Sequence, residues 1–504
     1  MCPSGVGADQ AMANVNNPII WADVPDPSVI RVGDVYYMTS TTMHMNPGVP
    51  VMKSRDLVNW EIVNYVYGVL GERDEQCLEN GRNEYGKGSW ASSLRYHNGI
   101  YYVVFSSQTE QKTFVFQTRD VERGPWEKHV LPFLHDMSLL FDDDGKVLLV
   151  HGSGDIRALE LTSDCTAVKP GGLNQVIIPD SSAVAGHDIS LPAEGAHVHK
   201  VNGMYYIFLI TWPRGGMRTQ LCYRAEKITG PWEGRIVLQD AGIAQGGLVD
   251  TPDGKWYALL FGDRGAVGRI PYLVPVRWES GWPIYGVQGR VPLNTGIGPG
   301  RGLKIVSSDG FSPGPQLSLV WQWNHNPDNA NWSLAERPGY LRLRTGRISK
   351  GLTDARNTLT QRTFGPECSG TVAVETAGMR SGDCAGLAVF QRQYGFVGVK
   401  VCGTGQYVVM AEASSDSCVE VEQIALEHTR LYFQIRCDFT EQRDQASFFY
   451  STSGQEWIPI GRPLQMTYTL PHFMGYRFAL FNYATETVGG YADFDFFRIT
   501  GSTS

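Results

Sequence analysis

Residues 25–42 read PDPSVIRVGDVYYMTSTT. An apolar run, the turn Gly33-Asp34 and a returning run rich in Tyr make this stretch a β-hairpin, with a carboxylate, Asp26, set between two prolines at its mouth. Each proline locks its own φ and biases the residue before it toward extended backbone, so Asp26 has little freedom and suits an aimed carboxylate. Taken alone, the stretch reads equally well as an ordinary strand-opening turn, since Asp and Pro are both favoured there. The recurrence of the plan decides between them. WASSLRYHNGIYYVVFSS (90–107), HDMSLLFDDDGKVLLVHGS (135–153), AEGAHVHKVNGMYYIFLIT (193–211) and QGGLVDTPDGKWYALLFGD (245–263) repeat it, with Asn98-Gly99, Asp144-Gly145, Asn202-Gly203 and Asp253-Gly254 at the turns. Three of the hairpins are followed by a strand that a tryptophan introduces, Trp60, Trp126 or Trp232. A unit of roughly 50 to 60 residues with about four strands, repeated five times, is the signature of a β-propeller. A β-sandwich with coincidental hairpins would have no reason to keep the turn and Trp register.

Past LNTGIGPGRGLKIVSSDGFSPGPQ the period vanishes, and short alternating strands such as TVAVET, FVGVKV and ADFDFFRI follow, as in a β-sandwich. The expected organisation is all-β: an N-terminal tail at 1–14, a five-bladed propeller at 15–300, a Gly/Pro/Ser-rich linker at 301–316 and a sandwich at 317–504. The chain has 504 residues, 42% hydrophobic and 19% charged, with a net charge of -8. Its Lys and Arg are scattered, so neither nucleic acid nor an anionic membrane surface is an expected partner. Nine cysteines, an odd number with no CxxC pair, fit reduced thiols better than a zinc site or a disulfide framework. The N-terminus lacks the apolar core of a signal peptide and no run of about 18 apolar residues occurs, so the chain as it stands reads as cytoplasmic. A secreted chain already stripped of its signal would look the same.

In a propeller the innermost strands start around a central channel, so equivalent positions ahead of each hairpin converge. Aligning the turns brings Trp90, Asp136, Glu194 and Gln245 into one register, with Asp26 displaced by one. Three carboxylates from three blades then face one cavity, and Asp136 and Glu194 abut apolar strands rather than a solvated face. Glycoside hydrolysis needs such a set: a base to activate water, an acid to protonate the leaving oxygen and a further charge to adjust the acid.

The combination PDPSVIR, WASSLRYHNGIYY, HDMSLLFDDDGK, PAEGAHVHKVNGMYY and GRIPYLVPVRWESGWP resembles glycoside hydrolase family 43, the five-bladed β-xylosidases and α-L-arabinofuranosidases. The C-terminal third resembles the concanavalin-like, jelly-roll sandwich that many members carry. The resemblance implies that Asp26 is the general base, Asp136 the aspartate that modulates the acid's pKa and helps position it, and Glu194 the general acid. It implies a single inverting displacement with no required cofactor, the acid and base standing roughly 6.5 to 9.5 Å apart. Arg269, in GAVGRIPY, matches an arginine that contacts the sugar or the acids, although a structural ion pair would place it similarly. Trp90 and Trp212 could stack on a pentose or simply pack the channel, and His44 could shape the sugar pocket or be structural. Many members hold a central calcium ion with a channel histidine. Gln245 stands at that position, where its amide oxygen could still ligate calcium. The implied function is exo-acting removal of terminal β-D-xylosyl and/or α-L-arabinofuranosyl residues from xylan- or arabinoxylan-derived oligosaccharides. A carbohydrate-binding protein without turnover and a strict arabinofuranosidase stay open as alternatives.

Overall fold

The computed structural model describes residues 14–501 apart from 299, 301, 313, 415 and 416, so the expected tail lies outside it except for Asn14. Each of the five hairpins forms the inner half of an antiparallel four-stranded sheet. The innermost strands are Ser28–Val32, Ser89–His97, Ser138–Phe141, Ile189–Val201 and Leu248–Asp250, and each sheet adds its strands outward in chain order. Five such blades make the propeller. Asn98 and Asn202 (φ 50° each) and Gly99 and Gly203 (φ 80° each) give two hairpins the doubly left-handed turn that matches strand twist, which an Asn-Gly pair adopts at little cost. The Asp-Gly turns sit instead in longer loops, closed by Asp142 N–H to the Lys146 carbonyl and Thr251 N–H to the Lys255 carbonyl, both at 2.9 Å.

Side chains of the inner strands tie each blade to the next. Ser28 Oγ accepts from Leu94 N–H at 2.9 Å, Ser93 Oγ from Leu139 N–H at 3.0 Å, Ser138 Oγ from Val198 N–H at 3.0 Å and His199 Nε2 from Leu248 N–H at 3.2 Å. The Arg31–Asp250 ion pair closes the circle between the first and last blades. Polar side chains on inner strands thus satisfy backbone donors that a blade edge would leave unpaired. The chain start seals the same junction, because Asn17 Nδ2 donates to the Leu273 and Pro292 carbonyls while its Oδ1 accepts from Leu273 N–H, each at 2.9 Å.

The C-terminal part is a sandwich of two antiparallel sheets. One of them extends into the propeller: strand Met45–Asn46, from the first blade's connection, pairs with Gln322–Asn324. The two domains therefore share one sheet, and one apolar core runs through both. The expected linker connects them but is itself packed. Ile305 and Phe311 are buried, Lys304 bridges Glu61, and Asp309 exchanges backbone hydrogen bonds with Phe497. Its Gly, Pro and Ser content reflects turns rather than slack, since its apolar side chains are anchored between the domains. Among the described residues no helix is long and apolar enough to cross a membrane.

Candidate active site

Asp26, Asp136 and Gln245 head their inner strands with left-handed backbone, at φ 51°, 44° and 59°. The same local backbone device thus recurs two or three residues ahead of the inner strand in three blades. Asp26 is thus not extended, as the flanking prolines suggest. Ser40 Oγ donates to the Pro25 carbonyl at 2.6 Å and Thr41 N–H to the same oxygen at 3.4 Å, holding a tight turn whose left-handed position a short polar residue tolerates. Glu194 is aimed differently. Register shifts interrupt its strand on both sides, and such irregularities redirect side chains near functional sites.

Asp26 is 5% exposed, and both its oxygens accept from Arg269 Nη1 at 3.2 Å. Burial raises its carboxyl above the usual range, with the Arg269 charge pulling the other way. Arg269 is itself enclosed, its guanidinium 4.3 Å from the centre of the Phe473 ring, and its backbone N–H donates to Asp23 Oδ1 at 2.8 Å. The arginine therefore grips the Asp26 carboxylate. Burial, then the charges of Glu194 and Asp26, push Asp136 up to about 7 against the pull of His135.

His135 is a member of the site that the sequence reading passed over. Its Nε2 is 2.9 Å from Glu194 Oε2 and 3.7 Å from Asp136 Oδ2. Burial opposes its charge, but the hydrogen bond to Glu194 and the two carboxylates prevail and push it up to about 9. The available signal was its place directly before Asp136, at the head of an inner strand.

Trp90 stands edge-on to His135 and Phe473, with ring centres 6.0 and 6.2 Å away, and so walls the site. A groove of about 780 Å³ leads away from it, lined by propeller residues including Lys87 and Gln108 and by Arg392 and His472 of the sandwich. Trp212 is at the rim, 39% exposed, with the Arg218 guanidinium 5.3 Å from its ring centre; Arg218 pairs with Asp263 at 2.6 Å. His44 is not brought to the acids. It is fully buried in the seam between domains, within 4.9 Å of the rings of Tyr85, His325 and His472.

Among the described residues the His, Cys, Asp and Glu side chains close enough together to share an ion are His135, Asp136 and Glu194, and Gln245 is not among their contacts. The Gln245 side chain lies against Gly195, its backbone N–H donates to Gln220 Oε1 at 2.6 Å, and the neighbouring Gly247 faces His197 and His199. Those two histidines feel the half-buried guanidinium of Arg95, which donates to Ser138 Oγ and the Val198 carbonyl.

Comparison with known proteins gives a consistent picture. Residues 15–283 match the family described as glycosyl hydrolases family 43, and residues 308–500 match the beta xylosidase C-terminal concanavalin A-like domain. A beta-xylosidase of Formosa agariphila is 29% identical over 98% of this chain and 91% of its own length. A non-reducing end α-L-arabinofuranosidase of Bacteroides ovatus is 30% identical over 70% of each chain. The solved structure of a bifunctional GH43-CE protein of Bacteroides eggerthii superposes with a TM-score of 0.96 at 55% identity, covering 98% of this chain. This chain spans 64% of that protein's length.

Proposed function

The chain belongs to glycosyl hydrolase family 43, and on that footing we propose that it removes terminal β-D-xylosyl and α-L-arabinofuranosyl residues from xylan- and arabinoxylan-derived oligosaccharides, by exo-acting hydrolysis with inversion. The observation that carries the reading is the division of labour among the acids. Asp26 is buried and clamped by Arg269, whereas Glu194 is partly exposed and hydrogen-bonded to a proton-bearing group, His135. A carboxylate locked in one orientation, with a carboxyl raised by burial, suits a base that draws the proton from one water. A carboxyl on a proton donor suits the group that protonates the leaving oxygen. Asp136 feels both of the other carboxylates, and burial with their charges holds its own carboxyl up to about 7, against the pull of His135.

Exo action is supported by the sandwich, which brings Phe473 against Arg269 and Trp90 and narrows the acid-bearing depression on one side. The groove leading from Trp90 offers room for the remainder of an oligosaccharide. The relatives named beta-xylosidase and α-L-arabinofuranosidase support both pentoses, which can present scissile bond and hydroxyls similarly. The test is release of nitrophenol from nitrophenyl β-D-xyloside and α-L-arabinofuranoside, with proton NMR of the first-formed sugar. Release with an inverted anomer is expected. A retained anomer overturns the mechanism, and oligosaccharide binding without any release makes the protein a lectin-like binder.

A further inference from the structure

Three acids do not explain why an imidazole sits on one of them. His135 Nε2 is at hydrogen-bond distance, 2.9 Å, from Glu194 Oε2, and the ring nitrogen and the carboxylates of Asp136 and Glu194 all lie within 4.8 Å of one another. The ring is 29% exposed on its side chain, so it touches solvent on one side and the acid on the other. Resting on the hydrolase reading above, we propose that His135 is the proton store of the general acid: the proton that Glu194 delivers to the leaving oxygen reaches it from His135 Nε2 along their hydrogen bond.

The step follows from desolvation. With water in the site, imidazolium and carboxylate are the hydrated pair. When a sugar displaces that water the separated charges lose their hydration, and a neutral imidazole beside a carboxylic acid becomes the cheaper state. The Nε2–H bond breaks as the O–H bond on Glu194 forms, and the imidazole keeps the electron pair. Glu194 then gives this proton to the glycosidic oxygen as its bond to the anomeric carbon breaks, while water adds to that carbon and Asp26 takes the water's proton. After products leave, Asp26 returns its proton to solvent and His135 recovers one from solvent. One water is consumed and nothing is oxidised.

The groups facing His135 are consistent with this role. Asp136 and Glu194 favour its charge, while His151 is held neutral, at about 4, by burial and the Arg157 charge, so it does not compete for the proton. Asp26 and Arg269, themselves an ion pair, act on Asp136 in opposite directions, Asp26 raising its carboxyl and Arg269 lowering it. The Trp90 ring closes one side of the imidazole. Here His135 is a positioning and proton-supplying residue that acts through Glu194.

The test is the pH dependence of kcat/KM for wild type and His135→Gln, whose amide keeps a donor near Nε2 but holds no mobile proton. In wild type the alkaline limb is expected near pH 9, where the store empties. In His135→Gln it should fall by about one pH unit or more. Turnover of xylobiose should drop on the order of 100-fold, and that of a nitrophenyl xyloside, whose leaving group needs little protonation, by less than about tenfold. Imidazole added to His135→Ala should restore xylobiose turnover. An unmoved limb with equal losses on both substrates overturns the proposal. Should neither variant fold, NMR titration of ¹⁵N-histidine wild-type protein decides: the His135 ring should lose its proton at lower pH with D-xylose bound, and an unchanged titration overturns the store. Wild type that hydrolyses neither substrate sinks the hydrolase reading itself, whereas an active hydrolase whose limb ignores His135 sinks only this inference.

Discussion

Replacing Arg269 with Met should raise the Asp26 carboxyl further above its usual range. The guanidinium lies 3.2 Å from both oxygens of Asp26 and is 4% exposed, so its charge is about 4 Å from the carboxylate's with little water between. At an effective dielectric of about 20 that attraction is about 4 kcal/mol, equivalent to roughly three pH units on the carboxyl. Arg218 also pulls the Asp26 carboxyl down and stays in place, while burial, which raises it, is unchanged. An upward shift of about two units is therefore the expectation. The sign follows from the role, because a base works only when ionised. The acid limb of kcat/KM should move up by that amount, so that activity is lost most at the acid end of the profile and least at the alkaline end. The assay is kcat/KM against pH on a nitrophenyl pentoside, with thermal melting alongside, since an orphaned buried carboxylate destabilises by about 3–5 kcal/mol. Adding Asp26→Asn to Arg269→Met should recover melting temperature without activity. A loss of activity uniform in pH, with the acid limb unmoved, would refute the reasoning and make Arg269 a sugar ligand instead of the base's clamp.

Other outcomes follow from the same geometry. Asp26→Asn should depress good and poor leaving groups alike by two or more orders of magnitude, roughly, whereas Glu194→Gln should spare nitrophenyl substrates relative to xylobiose; parallel losses across a leaving-group series would refute the assigned roles. Glu84 is buried in the domain seam and burial pushes it up to about 7, so the fold prefers it protonated and its contribution to stability is lost as pH rises from about 4.5 through 7. Glu84→Gln should therefore raise the melting temperature at pH 8, by up to about 3 kcal/mol in stability, and do little at pH 4, as calorimetry at the two pH values would test. Chelation by EDTA should leave rate and melting temperature unchanged, since Gln245 belongs to no cluster of acidic and imidazole ligands close enough to share an ion among the described residues; a loss that added calcium restores would overturn that reading.

The parts legible in the sequence are those with local signals or those multiplied by symmetry. Turn dipeptides and alternating strands report only on their own neighbours, so the five hairpins were readable one at a time. Rotation about the propeller axis then turned equal register into convergence, bringing Asp136 and Glu194 to one place from strands 58 residues apart without any long-range information. Signals that symmetry does not multiply were lost. His44 looked like a pocket residue from its place after the first hairpin, yet its neighbours His325 and His472 come from the sandwich. Strand Met45–Asn46 has two residues, too few for any periodicity, and its partner strand begins at Gln322.

That short strand matters to the chemistry. It joins the propeller to a sandwich sheet whose strand Arg477–Ala484 directly follows the segment carrying Phe473, and Arg362 of the same sheet donates from Nε to the Asp23 carbonyl at 2.8 Å. Asp23 in turn accepts the backbone N–H of Arg269, and Phe473 covers the guanidinium face that Asp26 does not engage. A propeller cut away at residue 300 would keep all three acids but lose Phe473 and Arg362. Arg269 would then meet water instead of an aromatic ring, the higher dielectric would weaken its hold on Asp26, and the carboxylate would lose its single orientation. The sandwich is thus better understood as the far wall of the clamp on Asp26 than as an appended module.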